Sequence, residues 1–134
     1  MRVLIVDDSH TSRAMAIAVV HQVSAAMDAR GDAEGGLHVA TAESGVAALQ
    51  VLAEQPIDLL LVDMHLPDLT GLDVLRFWSA RKKTEGAMAL VVSSLVSDVD
   101  RARAEAAGAS GFLTKPLSER ALLSALVDDV ETAR

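Results

Sequence analysis

With 134 residues, 51% of them apolar, the chain can bury one sizeable core, which excludes a disordered tail and two ordinary domains. Aromatics make up 2% and cysteine is absent, so the core must be aliphatic, and neither a disulfide framework nor a thiolate metal site can form. A net charge of −7, with no basic run longer than Arg81-Lys82-Lys83, argues against direct binding of nucleic-acid phosphates.

The first apolar run, Val3–Val6, ends in Asp7-Asp8. It is far too short for a membrane span and has no cleavage pattern, so no membrane association is expected and a cytoplasmic location is the default. After Ser9, Ala14, Ile17, Ala18 and Val20 suggest a helix reaching about Ala29, followed by a polar, Gly-rich loop over Arg30–Gly36. His38–Ala42 is a weaker strand. Ser44 then precedes a helical stripe of Val46, Ala47, Ala48, Leu49 and Leu52. Ile57–Val62 reads as a buried strand ending at Asp63, and Gly71–Lys83 as a helix carrying Leu72, Leu75 and Trp78. Met88–Val92 ends at Ser93, and Asp98 is placed to cap a helix that Gly108 stops. Gly111–Thr114 ends at Lys115-Pro116. Ser118 and Glu119 open a last helix with Leu122, Leu123, Leu126, Val127 and Val130 inward. Five strand–helix repeats predict an α/β fold, a (βα)5 doubly wound parallel five-stranded sheet with right-handed crossovers, over residues 1–134 as one domain.

Polar residues fall at the carboxyl ends of the predicted strands: Asp7 and Asp8, Asp63, Ser93 and Lys115. In an open parallel sheet that rim is where ligands bind. Three carboxylates gathered there repel, each close pair by on the order of 1 kcal/mol in water and roughly 4 at an effective dielectric of 20. A hard divalent ion such as Mg²⁺, together with the Lys115 ammonium, would offset this. A carboxylate flanked by metal, ammonium and hydroxyl is arranged to attack phosphorus and to stabilise phosphoryl oxygens. The four histidines (His10, His21, His38 and His65) lack metal-ligand spacing.

In these pieces the chain resembles the response-regulator receiver family, most closely the single-domain chemotaxis type. They are Val6-Asp7-Asp8-Ser9, then Leu61-Val62-Asp63-Met64-His65-Leu66-Pro67-Asp68 with Gly71, then Val92-Ser93-Ser94, and Gly108-Ala109-Ser110-Gly111-Phe112-Leu113-Thr114-Lys115-Pro116. The resemblance covers essentially the whole chain. It implies a flavodoxin-like strand order, 2-1-3-4-5, and a phosphoacceptor domain of a two-component or phosphorelay system, switched by Mg²⁺-dependent phosphorylation of Asp63. It further implies Asp8 as a direct metal ligand, Asp7 as one acting mainly through water, and the backbone carbonyl of His65 as another. Lys115 would contact the phosphoryl oxygen, Ser93 would follow that oxygen, and Phe112 would be the aromatic switch. A cis Lys115–Pro116 bond is also implied.

The implied partners are a histidine kinase or phosphotransfer protein as donor and a downstream protein target, with a candidate homodimer through the fourth helix, fifth strand and fifth helix. The domain would be no enzyme beyond its own phosphoryl transfer and dephosphorylation. Leu95, two residues after Ser93, is expected to hinder the hydrolytic water and lengthen the phosphorylated lifetime. Ser at 93 and Phe at 112 stand where the family more often has Thr and Tyr, and the stretch between Asp8 and the second strand is longer than in the chemotaxis type. The rival readings are a receiver-like adaptor that works without phosphorylation, an aspartyl phosphatase and a flavin binder. Asp7-Asp8-Ser9 lacks the Asp-x-Asp that dehalogenase-type phosphatases need, and the loops lack aromatics to sandwich a flavin.

Overall fold

A computed structural model describes residues 1–29, 36–81, 86–95 and 97–132. The elements alternate strictly: β1 (Arg2–Val6), α1 (His10–Ala29), β2 (His38–Ala42), α2 (Gly45–Glu54), β3 (Leu59–Val62), α3 (Gly71–Ala80), β4 (Met88–Ser93), α4 (Asp98–Ala107), β5 (Gly111–Thr114) and α5 (Glu119–Thr132). All strand pairs are parallel and the sheet order is β2-β1-β3-β4-β5, as the resemblance implies.

The continuous apolar strands sort their side chains by alternation. Leu4, Val6, Leu60, Val62, Ala89 and Val91 face one core with Ala48, Leu52, Val74, Leu75, Trp78 and Ala104. Those helical residues belong to α2, α3 and α4. Val3, Ile5, Leu59, Leu61, Leu90 and Val92 face a second core with Val20, Val23, Leu122 and Leu126 from α1 and α5. Burial on both faces is why these strands read as unbroken hydrophobic runs. Trp78 is a buried packing residue of the first core.

Helix boundaries follow from capping. Ser9 Oγ accepts from Ser12 N, Ser44 Oγ from Ala47 N, and Thr70 forms a capping box with Asp73. Asp98 is not the cap of α4. Ser97 takes that position, its side chain accepting from Asp100 N, and Asp98 becomes the first helical residue, where its negative charge suits the positive end of the helix dipole. Gly108 ends α4 in the left-handed region, φ 114°, which a side chain rarely adopts. The helix read as Gly71–Lys83 ends at Ala80, capped by Arg81 in extended conformation. Residues 82–83, most of the predicted loop over 30–36, and the Val130 side chain lie outside the described residues. The β3 ladder starts at Leu59 rather than Ile57, although Ile57 is buried and Asp58 already exchanges backbone bonds with Arg2 and Met88. Among the described residues no helix is long and apolar enough to cross a membrane.

Candidate functional site

Alternation carries past the strand ends and sets which way the polar residues point. Asp7 follows Val3 and Ile5, Asp63 follows Leu59 and Leu61, and Lys115 follows Leu113, so all three project on the α1/α5 face. There they meet. Lys115 Nζ lies 2.7 Å from Asp63 Oδ2 and 2.8 Å from Asp7 Oδ2. The carboxylates are nearly out of solvent, Asp7 at 5% and Asp63 at 7% exposure. Their remaining oxygens are held by the turns that leave the strands: Ser9 N donates to Asp7 Oδ1 at 2.9 Å, and His65 N to Asp63 Oδ1 at 3.0 Å. A recess of about 280 Å³ opens beside them, lined by Met15, Ala16, Leu61, Pro116 and Leu117 among others.

Burial alone would push the Asp7 carboxyl up. The hydrogen bonds from Lys115, from the Ser12 side chain and from the Ser9 backbone outweigh it and hold Asp7 below its ordinary value. Burial likewise pulls Lys115 down, but its bonds to Asp63 and Asp7 hold it above the ordinary lysine value. Both groups are charged at neutral pH.

The exposed Asp8 completes an acidic trio, with one oxygen of each of Asp7, Asp8 and Asp63 within 4.8 Å of the others. An all-oxygen set with one solvent-facing member fits a hard cation that keeps part of its water shell, which is the habit of Mg²⁺. His65 is exposed and contributes its backbone N–H to Asp63, as described above; its side chain is no part of the trio.

Ser93 sits on the opposite face by the same alternation, in line with Val91 and with Phe112 of β5, which packs against the first core. It is 2% exposed, and its hydroxyl donates to the Leu95 carbonyl at 3.4 Å, a long bond and therefore a weak one. Phe112 is half-buried, with the Arg101 guanidinium of α4 stacked 4.4 Å from its ring centre. Leu95 is 81% exposed. The Lys115–Pro116 bond is cis.

Two residues with structural work at this rim escaped the sequence reading. Arg13 Nη1 donates to the Asp7 carbonyl at 2.9 Å, while its Nη2 lies 3.8 Å from Glu43. Asp68, from the β3–α3 turn, accepts from Gly45 N at 2.8 Å and Val46 N at 2.9 Å, tying that turn to the start of α2. Asp68 closes the segment Leu61–Asp68, but a cap acting on a helix so far back in the chain leaves no local pattern. Arg13 carried no signal beyond being a basic residue in a helix.

Comparison with known proteins agrees with this geometry. Residues 3–127 match the family model described as the response regulator receiver domain. Transcriptional regulatory protein KdpE of Mycobacterium tuberculosis is 36% identical over 94 residues, covering 68% of this chain and 39% of KdpE. The chain thus spans well under half the length of that relative. Chemotaxis protein CheY of Pseudomonas aeruginosa is 28% identical over 122 residues, covering 91% of this chain and 90% of CheY. The structure of the chemotaxis response regulator CheY4 of Vibrio cholerae superposes with a TM-score of 0.71 at 25% identity, over 99% of this chain and 98% of that one. The family's general function is phosphorylation switching in two-component signalling, and its members are signalling domains rather than conventional enzymes. A family match over residues 3–127 and a CheY-like sheet whose rim gathers acid and lysine together mean that this chain belongs to the response regulator receiver family.

Proposed function

We propose that residues 1–134 form one receiver domain in which Asp63 is the phosphoacceptor, assisted by Lys115 and Ser93. The observation that carries this reading is the junction of Asp63, Asp7 and Lys115, with Asp8 alongside. An Asp63 oxygen attacks the phosphorus of the donor in line, and the donor group leaves from the far side. Bound Mg²⁺, held by Asp8 and Asp63 directly, by Asp7 through water and by the His65 carbonyl, would supply positive charge to the phosphoryl oxygens. Lys115 shifts from Asp63 Oδ2 onto a phosphoryl oxygen, so its charge is already in place before the reaction and needs little reorganisation.

Ser93 is the link to the far face. Its weak bond to the Leu95 carbonyl is readily exchanged for one to a phosphoryl oxygen, whose charge makes it the stronger acceptor. Ser93 pairs in register with Thr114, two residues after Phe112, so its shift opens or closes room beside the Phe112 ring on the same face of the sheet. The phosphoryl group thereby interacts differently with two packings of α4 and β5, which is the condition for shifting their populations. The partners that follow are a histidine kinase or phosphotransfer protein as donor and a downstream protein that reads the α4, β5 and α5 surface, where a homodimer would also form. Slow self-dephosphorylation and a cytoplasmic location belong to the same reading.

Incubation with acetyl phosphate and Mg²⁺, followed by intact-mass measurement, tests it. One added phosphoryl group is expected, and none in Asp63→Asn. An unmodified wild-type chain that still binds a receiver partner would instead favour a phosphorylation-independent adaptor.

A further inference from the structure

We infer that Arg13 is a positioning residue for divalent-cation binding: its guanidinium fixes the Asp7–Asp8 peptide so that the Asp8 carboxylate faces Asp63. The inference rests on the proposed Mg²⁺-assisted function and adds a residue to it.

The carboxylates of the trio differ in how they are held. Asp7 has Ser9 N and Lys115 on its oxygens, and Asp63 has His65 N and Lys115. Both are fixed without a metal. The exposed Asp8 carboxylate accepts no hydrogen bond among the described residues, yet it stands within 4.8 Å of the other two. Its direction must come from the backbone that carries it. That backbone is held on either side, Asp7 N donating to the Ala42 carbonyl and Ser9 N to Asp7 Oδ1, but past the ladder the carbonyl of the peptide joining Asp7 to Asp8 needs a side chain to hold it. Arg13 Nη1 does so at 2.9 Å.

The contact is anchored in α1. Arg13 lies one turn into α1, its N–H bonded to the Ser9 carbonyl, and its side chain is 13% exposed. The same fork reaches toward Glu43, just after β2, so one planar group spans the ends of two strands. A lysine could satisfy only one of these acceptors with a fixed direction. Groups that orient a metal ligand without touching the metal typically change affinity by about tenfold to a hundredfold when removed.

The sign of the effect separates positioning from simple charge. Removing a cation beside an acidic site raises Mg²⁺ affinity if Arg13 acts only through its field, and lowers it if Arg13 aims Asp8. Mg²⁺ alone is titrated into the unphosphorylated protein and followed by amide NMR shifts at Asp8 and Asp63, with thermal unfolding without metal recorded in parallel. Arg13→Gln should bind Mg²⁺ about tenfold or more weakly. Arg13→Lys, which keeps the charge but not the fork, should show a smaller loss. Affinity in Arg13→Gln equal to or tighter than wild type overturns the inference. If Arg13→Gln does not fold, Arg13→Lys decides alone, and an affinity equal to wild type overturns the inference there as well. A wild-type chain that shows no Mg²⁺ binding refutes the proposed function itself, which is a distinguishable result.

Discussion

Lys115 Nζ lies 2.7 Å from Asp63 Oδ2, and the same ammonium reaches Asp7 Oδ2 at 2.8 Å, so one cation joins the ends of three strands. Its removal leaves two nearly buried carboxylates facing each other without a counter-charge. Lys115→Met should therefore destabilise the metal-free protein by about 2 kcal/mol, the scale of a lost charged hydrogen bond. Saturating Mg²⁺ should restore part of this, because a ligand that binds only the folded state stabilises it. Urea unfolding with and without Mg²⁺ measures both effects, and phosphorylation by acetyl phosphate should fall sharply in the same variant.

The same triad sets the pH range of stability. Asp7 is held below its ordinary value of 3.8, so its contribution is complete above 3.8 and is lost as pH falls through the lower folded-state value. Lys115 is held above 10.5, so its contribution is complete below 10.5 and is lost as pH rises through the higher folded-state value. Asp7→Asn should be less stable than wild type at neutral pH, with the gap narrowing in acid below 3.8. Unfolding midpoints across the pH series check this, and a gap of constant size would contradict it.

Gly71 opens α3 directly against the backbone of Asp63, the proposed phosphoacceptor. A Cβ at this position would lie 2.5 Å from the Asp63 carbonyl oxygen and 2.8 Å from Met64 Cα, neither of which is the end of a flexible side chain. Gly71→Ala must move the β3–α3 turn, at a cost of about 1–3 kcal/mol for an overpacked site. Because that turn also supplies the His65 N–H to Asp63, the phosphorylation rate should drop along with the melting temperature. A variant that melts lower but is phosphorylated at the wild-type rate would separate the turn from the chemistry.

The strands and the polar residues at their ends were legible because burial on both faces forces unbroken apolar runs, and the next polar residue then marks the rim. Asp7, Asp8, Asp63 and Lys115 converge as the spacing and the resemblance suggested. What escaped is non-local or close to degenerate. Ser97 and Asp98 are both good caps, and only the backbone geometry chooses Ser97. Asp68 works on α2, and Arg13 works through the direction in which α1 folds back over β1; neither relationship leaves a periodic trace in the chain.

Leu95 follows the strand that carries Ser93, and its side chain is 81% exposed while its carbonyl receives the Ser93 hydroxyl. If Ser93 turns to a phosphoryl oxygen as proposed, the Leu95 carbonyl would be released and the apolar side chain could settle over Asp63 and exclude the attacking water. Leu95→Glu and Leu95→Ala should both shorten the half-life of the phosphorylated protein severalfold, with Glu having the larger effect because it can orient a water. Unchanged decay in both would discard this role.

Arg101 of α4 and Phe112 of β5, the proposed aromatic switch, are in contact. The guanidinium stacks 4.4 Å from the ring centre of the half-buried phenyl. Such a stack at an exposed arginine is worth about 0.5–1 kcal/mol, or roughly a twofold to fivefold change in a two-state ratio. If the stack is confined to the resting packing, Arg101→Ala shifts the balance toward the ring-inward form. The variant should then be slightly less stable and yet take phosphate from acetyl phosphate faster by that factor, since whatever favours the active packing also favours the modification that selects it. Arg101→Lys should fall between the two, because its ammonium keeps the charge but loses the planar overlap. Single-turnover phosphorylation rates measured beside unfolding midpoints test the pairing, and a slower rate in Arg101→Ala would mean that the stack belongs to the active packing instead.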